Sequence, residues 1–176
     1  MEANEEKKQE YLSQLSLLDA TKLVYLDESG VDESCYKDNG WGKRGKILIG
    51  KKSGKRFKRV NILAALNDKK VLAPMVFKGN CTTELFKTWL KDQLMAELKP
   101  GYTIIMDNVP FHKSSEIREI IEAGECKLLY LPPYSPELNP IEKFWANMKN
   151  WIKKNFSILR NPWDALFEFF TTQTST

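Results

Sequence analysis

Two short apolar runs, each followed directly by an aspartate, constrain the fold of this chain more than any other feature. Leu23–Leu26 precedes Asp27, and Tyr102–Met106 precedes Asp107. Runs this short, bounded by polar turn residues, are typical of buried β-strands. Ligands of open α/β sheets collect at the carboxyl ends of such strands, so both aspartates are candidate functional residues.

The segments that follow the first aspartate predict antiparallel strands. Val60–Leu66 and Val71–Phe77 flank the turn-forming pair Asn67-Asp68, a pattern typical of a β-hairpin. Pro74 has no backbone N–H to donate, so the second strand should lie at a sheet edge or be irregular at this proline.

Strands and helices alternate in the second half of the chain. Antiparallel strands followed by this alternation indicate an α/β fold, with a mixed sheet flanked by helices. At 176 residues and 42% hydrophobic, the chain suits a single core. The predicted elements are helices over Thr82–Leu98, Ser114–Ala123 and Trp163–Phe170, a strand over Cys126–Leu131, and a helix that starts at Asn139-Pro140.

The helix that starts at Asn139-Pro140 brings a third carboxylate, Glu142. With Asn139 as the N-cap and Pro140 at the first helical position, Glu142 occupies the third position of a capping box, which requires no catalytic role. An aspartate after a strand is likewise more often a turn former. Each of the three carboxylates therefore has a structural explanation when it is taken alone.

Together, the three carboxylates favour metal-dependent phosphoryl transfer. Cys35, Cys81 and Cys126 lie far apart and His112 is the single histidine, which disfavours a disulfide framework, a Cys/His zinc site and a Ser-His nucleophile. Two divalent ions held by carboxylates can activate the attacking oxygen and stabilise the leaving oxygen of a phosphodiester. The expected cofactor is Mg²⁺ or Mn²⁺. The candidate catalytic residues and metal ligands are Asp27, Asp107 and Glu142.

A glycine-bearing basic segment spans residues 43–59, with nine basic side chains and no acid. The net charge is +4, so the rest of the chain carries −5 (4 − 9 = −5). Such a concentration of positive charge is typical of contact with a phosphate backbone, although a solvated hairpin explains the segment equally well. The candidate DNA-binding residues are Lys43, Arg44, Lys46, Lys51, Lys52, Lys55, Arg56, Lys58 and Arg59.

Three motifs carry the three carboxylates. Leu26–Gly30 surrounds the first, Met106–Ser114 the second, and Leu131–Glu142, followed by Phe144-Trp145, the third. The second and third carboxylates lie 35 positions apart (142 − 107 = 35). These motifs and this spacing resemble those of mariner-superfamily Asp-Asp-Glu transposases, especially the bacterial insertion-sequence branch, over residues 23–154.

The resemblance implies a ribonuclease-H-like fold, two Mg²⁺ ions, and a reaction in which water and then a DNA 3′-hydroxyl attack phosphodiesters. Asp27 would be shared by both ions, while Asp107 and Glu142 would each complete one. The basic segment would correspond to a loop that contacts DNA or the partner subunit. Residues expected to support the metal ligands are Asn108, His112 and Asn139.

The expected organisation is an N-terminal helix or linker over residues 1–21, a catalytic domain over 22–160 with a basic insertion over 34–60, and a C-terminal helix and tail over 161–176. Relatives carry helix-turn-helix modules that read transposon ends, and the residues before Leu23 are too few to hold them. We therefore expect a catalytic half, from a split reading frame, an excised fragment or a decayed remnant. It would act on DNA as a homodimer with a separate helix-turn-helix polypeptide or domain. No stretch approaches the roughly 18 apolar residues of a membrane span, so we expect no membrane contact and a cytoplasmic, nucleoid-associated location.

The leading functional hypothesis is a transposase catalytic domain that cleaves phosphodiesters at transposon ends and joins the 3′-hydroxyl to target DNA. A catalytically silent nucleic-acid-binding or subunit-interaction remnant of a transposase is the first alternative. A housekeeping ribonuclease-H-like nuclease is the second, and the proline-rich third motif disfavours it.

Overall fold

A five-stranded mixed sheet forms the centre of the structure, a computed structural model that describes residues 2–32, 59–109, 113–159 and 161–173. The strand order is β3-β2-β1-β4-β5. The three strands β1, β2 and β3 pair antiparallel, whereas β4 pairs parallel with both β1 and β5. The strands are β1 (Leu23–Asp32), β2 (Arg59–Asn67), β3 (Lys70–Lys78), β4 (Thr103–Met106) and β5 (Lys127–Tyr130).

Helices cover both faces of this sheet, as the alternation of strands and helices predicts. The predicted helix over Thr82–Leu98 is confirmed, although Leu90–Leu94 within it is a π-helical segment. Thr82 caps its start, since its side chain accepts from the Leu85 N–H. The α-helices are α1 (Glu2–Ser16), α2 (Thr83–Trp89), α3 (Met95–Glu97), α4 (Ser115–Ala123), α5 (Ile141–Leu159) and α6 (Pro162–Gln173).

The β2–β3 hairpin is confirmed, and both expectations for Pro74 hold. Strand β3 lies at the edge of the sheet, and its register with β2 shifts between Leu63 and Ala65. Ala73, next to the proline, has a φ of 47°. The Trp89 indole N–H donates to the Ala73 carbonyl over 2.7 Å, and the Ala73 N–H donates to Glu97 over 2.9 Å. These bonds satisfy backbone groups that the irregular pairing leaves out of the ladder.

Two apolar layers pack on opposite faces of the sheet because strand side chains alternate in direction. Val24 and Leu26 of β1 face the layer of α2 and α4, whereas Val31 faces the layer of α5 and α6. In α5, apolar side chains at helical spacing form a stripe that faces the sheet, and α6 packs against it through Phe169. The buried members of the stripe are Ile141, Trp145, Met148 and Ile152.

Helix α1 settles the choice between helix and linker for the N-terminal segment. Tyr11 is buried beside Ile105 of β4 and Leu131, at the end of β5. Lys8 forms an ion pair of 2.7 Å with Glu137 in the proline-rich connection to α5. Among the helices described here, none is long and apolar enough to cross a membrane.

Candidate active site

The register between β1 and β4 brings the two aspartates to the same level of the sheet. Tyr25 pairs with Ile105 at an offset of 80 positions (105 − 25 = 80), and the same offset relates Asp27 to Asp107 (107 − 27 = 80). Strand β4 ends at Met106, so Asp107 follows a strand end as predicted. Two parallel neighbours therefore present their aspartates side by side.

The prediction that the first strand ends at Asp27 is wrong. Strand β1 continues to Asp32 because β2 pairs antiparallel with it from Tyr25 onward, and Asp27 lies opposite Ala64. The polar residues after Asp27 resemble a turn in the sequence but belong to the strand. The parallel pairing of β1 with β4 nevertheless ends at Tyr25, before Asp27. The side chain of Asp27 lies at a cavity beyond the end of that pairing.

Glu142 joins the two aspartates around one cavity of about 420 Å³. Each carboxylate comes from a different element: Asp27 from the middle of β1, Asp107 from the end of β4, and Glu142 from the first turn of α5. The proline-rich stretch 131–136 forms another part of the wall. The structure thus brings together three side chains that are 80 and 35 positions apart in sequence.

The electrostatic environment of Asp27 is strongly perturbed. Burial, the largest cause, acts with the negative charges of Glu142 and Asp107 to raise the pKa of Asp27 from 3.8 to about 7. A backbone hydrogen bond from Glu28 and the indole N–H of Trp145 oppose this rise in pKa. Trp145 Nε1 donates to Asp27 Oδ2 over 3.2 Å. A buried carboxyl among like charges is typical of a site that a cation completes.

The capping-box interpretation of Glu142 is wrong. The Asn139 N–H, which a capping glutamate would bind, donates instead to the Pro136 carbonyl over 3.0 Å. A 3₁₀ turn over Pro136–Leu138 makes this bond and takes the place of the expected cap. Glu142 therefore lines the cavity without acting as a capping residue for α5.

Two asparagines predicted to support the ligands also line the cavity. The side-chain oxygens of Asn108 and Asn139 are buried, and neither has a hydrogen-bond partner among the described residues. Leaving a buried acceptor unpaired costs about 1–3 kcal/mol, so such groups point to a missing donor or cation. The third predicted supporting residue, His112, lies outside the described residues.

The oxygen atoms at the cavity are of the type that binds a hard divalent cation, but in the described part of the chain they do not converge on one point. Carboxylate and amide oxygens are the ligands that Mg²⁺ and Mn²⁺ prefer. Within the described parts of the chain, however, no three acidic, histidine or cysteine side chains lie close enough to form a ready metal site.

The basic segment is represented by one residue, Arg59, since 43–58 lie outside the described residues. Arg59 starts β2 and is exposed, and its Nε donates to Asn61 Oδ1 over 2.9 Å. Its guanidinium lies against Gly30 of the first motif, where a Cβ would collide with it. The absence of a side chain at Gly30 therefore leaves the space that Arg59 occupies beside the first motif. The sequence alone gave no reason to single out this glycine.

A larger groove of about 910 Å³ lies elsewhere, between the helix α2 with its π-helical extension and α4. Part of its polar lining is ion-paired, with Lys87 bridging Glu84 and Glu116. None of the three candidate carboxylates lines it. Acidic side chains, a perturbed carboxyl group and buried acceptors converge at the smaller cavity, which makes it the candidate active site despite its smaller size.

The structure also adds two residues to the site that the sequence pattern did not mark as functional. Trp145 follows Glu142 in the third motif, but no role at the site was predicted for it; its indole N–H donates to Asp27. Tyr134 lines the cavity, is 94% exposed and has a φ of 57°. The position of Trp145 three residues after Glu142 was the one available signal, since residues three apart share a helix face.

Comparison with known proteins supports the fold. The chain is similar to the Mos1 transposase paired-end complex with left transposon end, with a TM-score of 0.71 and 18% identity over 85% of this chain and 47% of that chain. Its TM-score with the catalytic domain of Mos1 mariner transposase is 0.58, at 15% identity over 84% of this chain and 69% of the other. The ribonuclease-H-like fold, a mixed sheet flanked by helices, is thereby confirmed.

Sequence relatives point the same way. The chain is 28% identical over 90 residues to the Tc1 transposase of Caenorhabditis elegans, covering 47% of this chain and 33% of the relative. It is 30% identical over 74 residues to the Tcb2 transposase of Caenorhabditis briggsae, covering 38% and 27%. The chain thus spans about a third of the length of these relatives. A family model for DDE superfamily endonucleases matches residues 22–161, well over half of the chain, and the chain therefore belongs to the DDE superfamily endonucleases.

Proposed function

We propose that this chain is the catalytic domain of a DNA transposase that cleaves phosphodiesters at transposon ends and joins the 3′-hydroxyl to target DNA. Asp27, Asp107 and Glu142 are its catalytic carboxylates. The observation that carries the proposal is their meeting around one cavity from three separate elements. The names of the relatives, which are Tc1-type and mariner transposases, support the same reaction class.

The cofactor in this proposal is a pair of Mg²⁺ or Mn²⁺ ions held by the three carboxylates, with Asp27 as the shared ligand. Solved Mos1 paired-end complexes contain Mn in one case and Mg in another. Bound there, two divalent ions supply Lewis-acid activation of the attacking oxygen and stabilise the leaving oxygen. The unpaired oxygens of Asn108 and Asn139 are placed to accept hydrogen bonds from water or hydroxyl groups at the same cavity.

The residues of the chain itself orient and shield the reaction. Asp27 is largely enclosed, and burial favours its interaction with a cation over its interaction with water. Leu131 and Pro132 are buried in the wall and limit access from one side. Tyr134 stands at the rim and offers a flat aromatic surface on which a nucleobase can stack.

DNA is the substrate and partner in this proposal, contacted by Arg59 and the rest of the basic segment. Transposon ends are paired, so the chain would work as a homodimer on DNA, with a helix-turn-helix polypeptide or domain reading the end sequence. A cytoplasmic, nucleoid-associated location follows from that substrate. The supporting observations are the charge of residues 43–59 and the DNA complexes named among the structural relatives.

Nicking of supercoiled plasmid by the purified chain, with and without Mn²⁺, tests the proposal. Nicking should require Mn²⁺ and fall to background in Asp27→Asn, Asp107→Asn and Glu142→Gln. Asp92→Asn is the matched control, because Asp92 is an exposed acid that lines the other groove. Folded protein that binds plasmid but never nicks it would favour the silent remnant, and nicking that survives all three substitutions would overturn the assignment of the carboxylates.

A further inference from the structure

The side chain of Asp27 is held by a donor that reaches it from another layer of the fold. Trp145 lies on α5, 118 positions away, and its Nε1–H donates to Asp27 Oδ2 over 3.2 Å. Trp145 is only 1% exposed, so water does not compete freely for this bond. A hydrogen bond from a neutral donor to a carboxylate is stronger than one between neutral groups and is directional.

The indole is fixed by its packing and cannot follow Asp27 if that side chain turns. Trp145 belongs to the apolar cluster of β2, α5 and α6, in contact with the ring of Phe144 at a centroid distance of 5.2 Å. Ala64, the cross-strand partner of Asp27, belongs to the same cluster, and its small side chain leaves room for the indole beside the carboxylate. The donor therefore imposes one orientation on the acid.

The same helix carries the third carboxylate. Glu142 and Trp145 are three positions apart (145 − 142 = 3) in the first turns of α5, so they lie on adjacent parts of one face. Docking of α5 on β1 thus places Glu142 at the cavity and at the same time fixes Asp27. Neither side chain can be displaced by a movement of α5 without the other.

We propose that Trp145 is a positioning residue: its indole N–H occupies Asp27 Oδ2 and turns the remaining lone pairs of the carboxylate toward the cavity, where the divalent cation binds. This inference rests on the proposed function of Asp27 as a metal ligand. Groups that hold a ligand by hydrogen bonds set the geometry of a metal site, and losing one typically weakens metal affinity about 10- to 100-fold.

A second buried tryptophan provides a matched control. Trp89 is also 1% exposed, and its Nε1 donates to the Ala73 carbonyl over 2.7 Å. It packs in the cluster on the opposite face of the sheet. Trp89→Phe removes the same atoms as Trp145→Phe and likewise deletes an indole hydrogen bond, but Trp89 does not line the cavity. The pair separates loss of packing from loss of the bond to Asp27.

The test is the affinity for Mn²⁺ alone, measured by calorimetry on the purified chain without DNA. Trp145→Phe should weaken Mn²⁺ binding by about tenfold or more, whereas Trp89→Phe should leave it unchanged even if both variants melt earlier. Equal affinities for Trp145→Phe and the unaltered protein would overturn the proposal. Asp27→Asn separates failure of the positioning role from failure of the proposed metal site. If Asp27→Asn also leaves Mn²⁺ binding unchanged, the proposed metal site itself is wrong, and not only the role of Trp145.

A second measurement keeps the test valid if Trp145→Phe does not fold. In the unaltered, ¹⁵N-labelled protein, the assigned indole N–H resonance of Trp145 should shift as Mg²⁺ is added, because its acceptor changes charge environment. The resonance of Trp89 should stay in place. A Trp145 resonance that does not move while Mg²⁺ is shown to bind would overturn the positioning role, since a donor bonded to a metal-binding carboxylate must sense the cation.

Discussion

Replacing Asp27 by asparagine should stabilise the metal-free protein at neutral and alkaline pH. The folded structure raises the pKa of Asp27 from 3.8 to about 7. Ionising this side chain in the folded state therefore costs about 4 kcal/mol relative to the unfolded chain, from 3.2 pKa units (7 − 3.8 = 3.2) at 1.36 kcal/mol each. Asparagine removes this penalty, and its amide oxygen can still accept from Trp145.

The sign and the pH window follow from the same pKa values. The pKa is raised in the folded state, so between pH 3.8 and about 7 the folded chain binds more protons than the unfolded chain, and stability falls as pH rises. The penalty is absent below pH 3.8, reaches about 1.6 kcal/mol at pH 5, and is complete above pH 7. The advantage of Asp27→Asn should grow over that window.

Urea denaturation in EDTA at pH 5 and pH 8 measures this difference. The free energy of unfolding of Asp27→Asn should exceed that of the unaltered protein by about 4 kcal/mol at pH 8 and by less than half of that amount at pH 5. Asp92→Asn serves as the control and should differ little at either pH. A stability difference for Asp27→Asn that is the same at both pH values, or of opposite sign, would refute the assignment of the penalty to a buried carboxylate. Added Mg²⁺ should stabilise the unaltered protein by mass action and narrow the gap.

Three further variants test other parts of the proposal. Glu142→Gln should abolish Mn²⁺-dependent nicking. It should change the free energy of unfolding by less than about 1 kcal/mol, because Glu142 is exposed and forms no capping box. Urea denaturation and nicking are measured on the same sample. Asn139→Leu replaces a buried, unpaired oxygen with an apolar group of similar shape, so it should raise metal-free stability by about 1 kcal/mol or more yet slow nicking; a loss of stability would show that the amide is satisfied. Charge reversal in the basic segment should weaken binding to all DNA duplexes alike. In titrations at several salt concentrations, the slope of log K against log salt concentration should become shallower by about 0.9 per lost phosphate contact. A loss of affinity confined to one DNA sequence would contradict contact with the phosphate backbone. The residues to reverse to glutamate together are Lys51, Lys52, Lys55 and Arg56.

The sheet could be predicted from the sequence because its signals are local. Apolar runs, the Asn67-Asp68 turn and helical periodicity each lie within one segment, and the structure confirms the elements they indicate. Strand β1 shows the limit of this reasoning. Glu28 and Ser29 look like turn residues, but pairing with β2 extends the strand through them, and that pairing depends on a segment more than thirty positions away.

The sequence marks candidate residues of the site but not the contacts that they make. The three carboxylates stand out by motif and spacing, whereas the bond between Trp145 and Asp27 joins residues 118 positions apart and depends on how α5 docks. The capping box failed for a related reason: the Asn139 N–H has a competing acceptor, Pro136, within the preceding turn. Sequence patterns name the groups that can interact, but packing decides which of the available partners each group takes.

The three candidate carboxylates are held in place by two different kinds of interaction, which accounts for their separation around the cavity in the described part of the chain. Asp27 and Asp107 extend from strands whose backbones are hydrogen-bonded to each other, and that pairing fixes neighbouring strands about 4.8 Å apart. Glu142 depends instead on the packing of α5 against β1 and β2, and its own side chain is exposed. Side chains change rotamer far more readily than a paired sheet changes register. Closure of the ligand group on a cation is therefore expected to come from Glu142 moving toward a fixed pair of aspartates, with Trp145 keeping Asp27 in place while it does so.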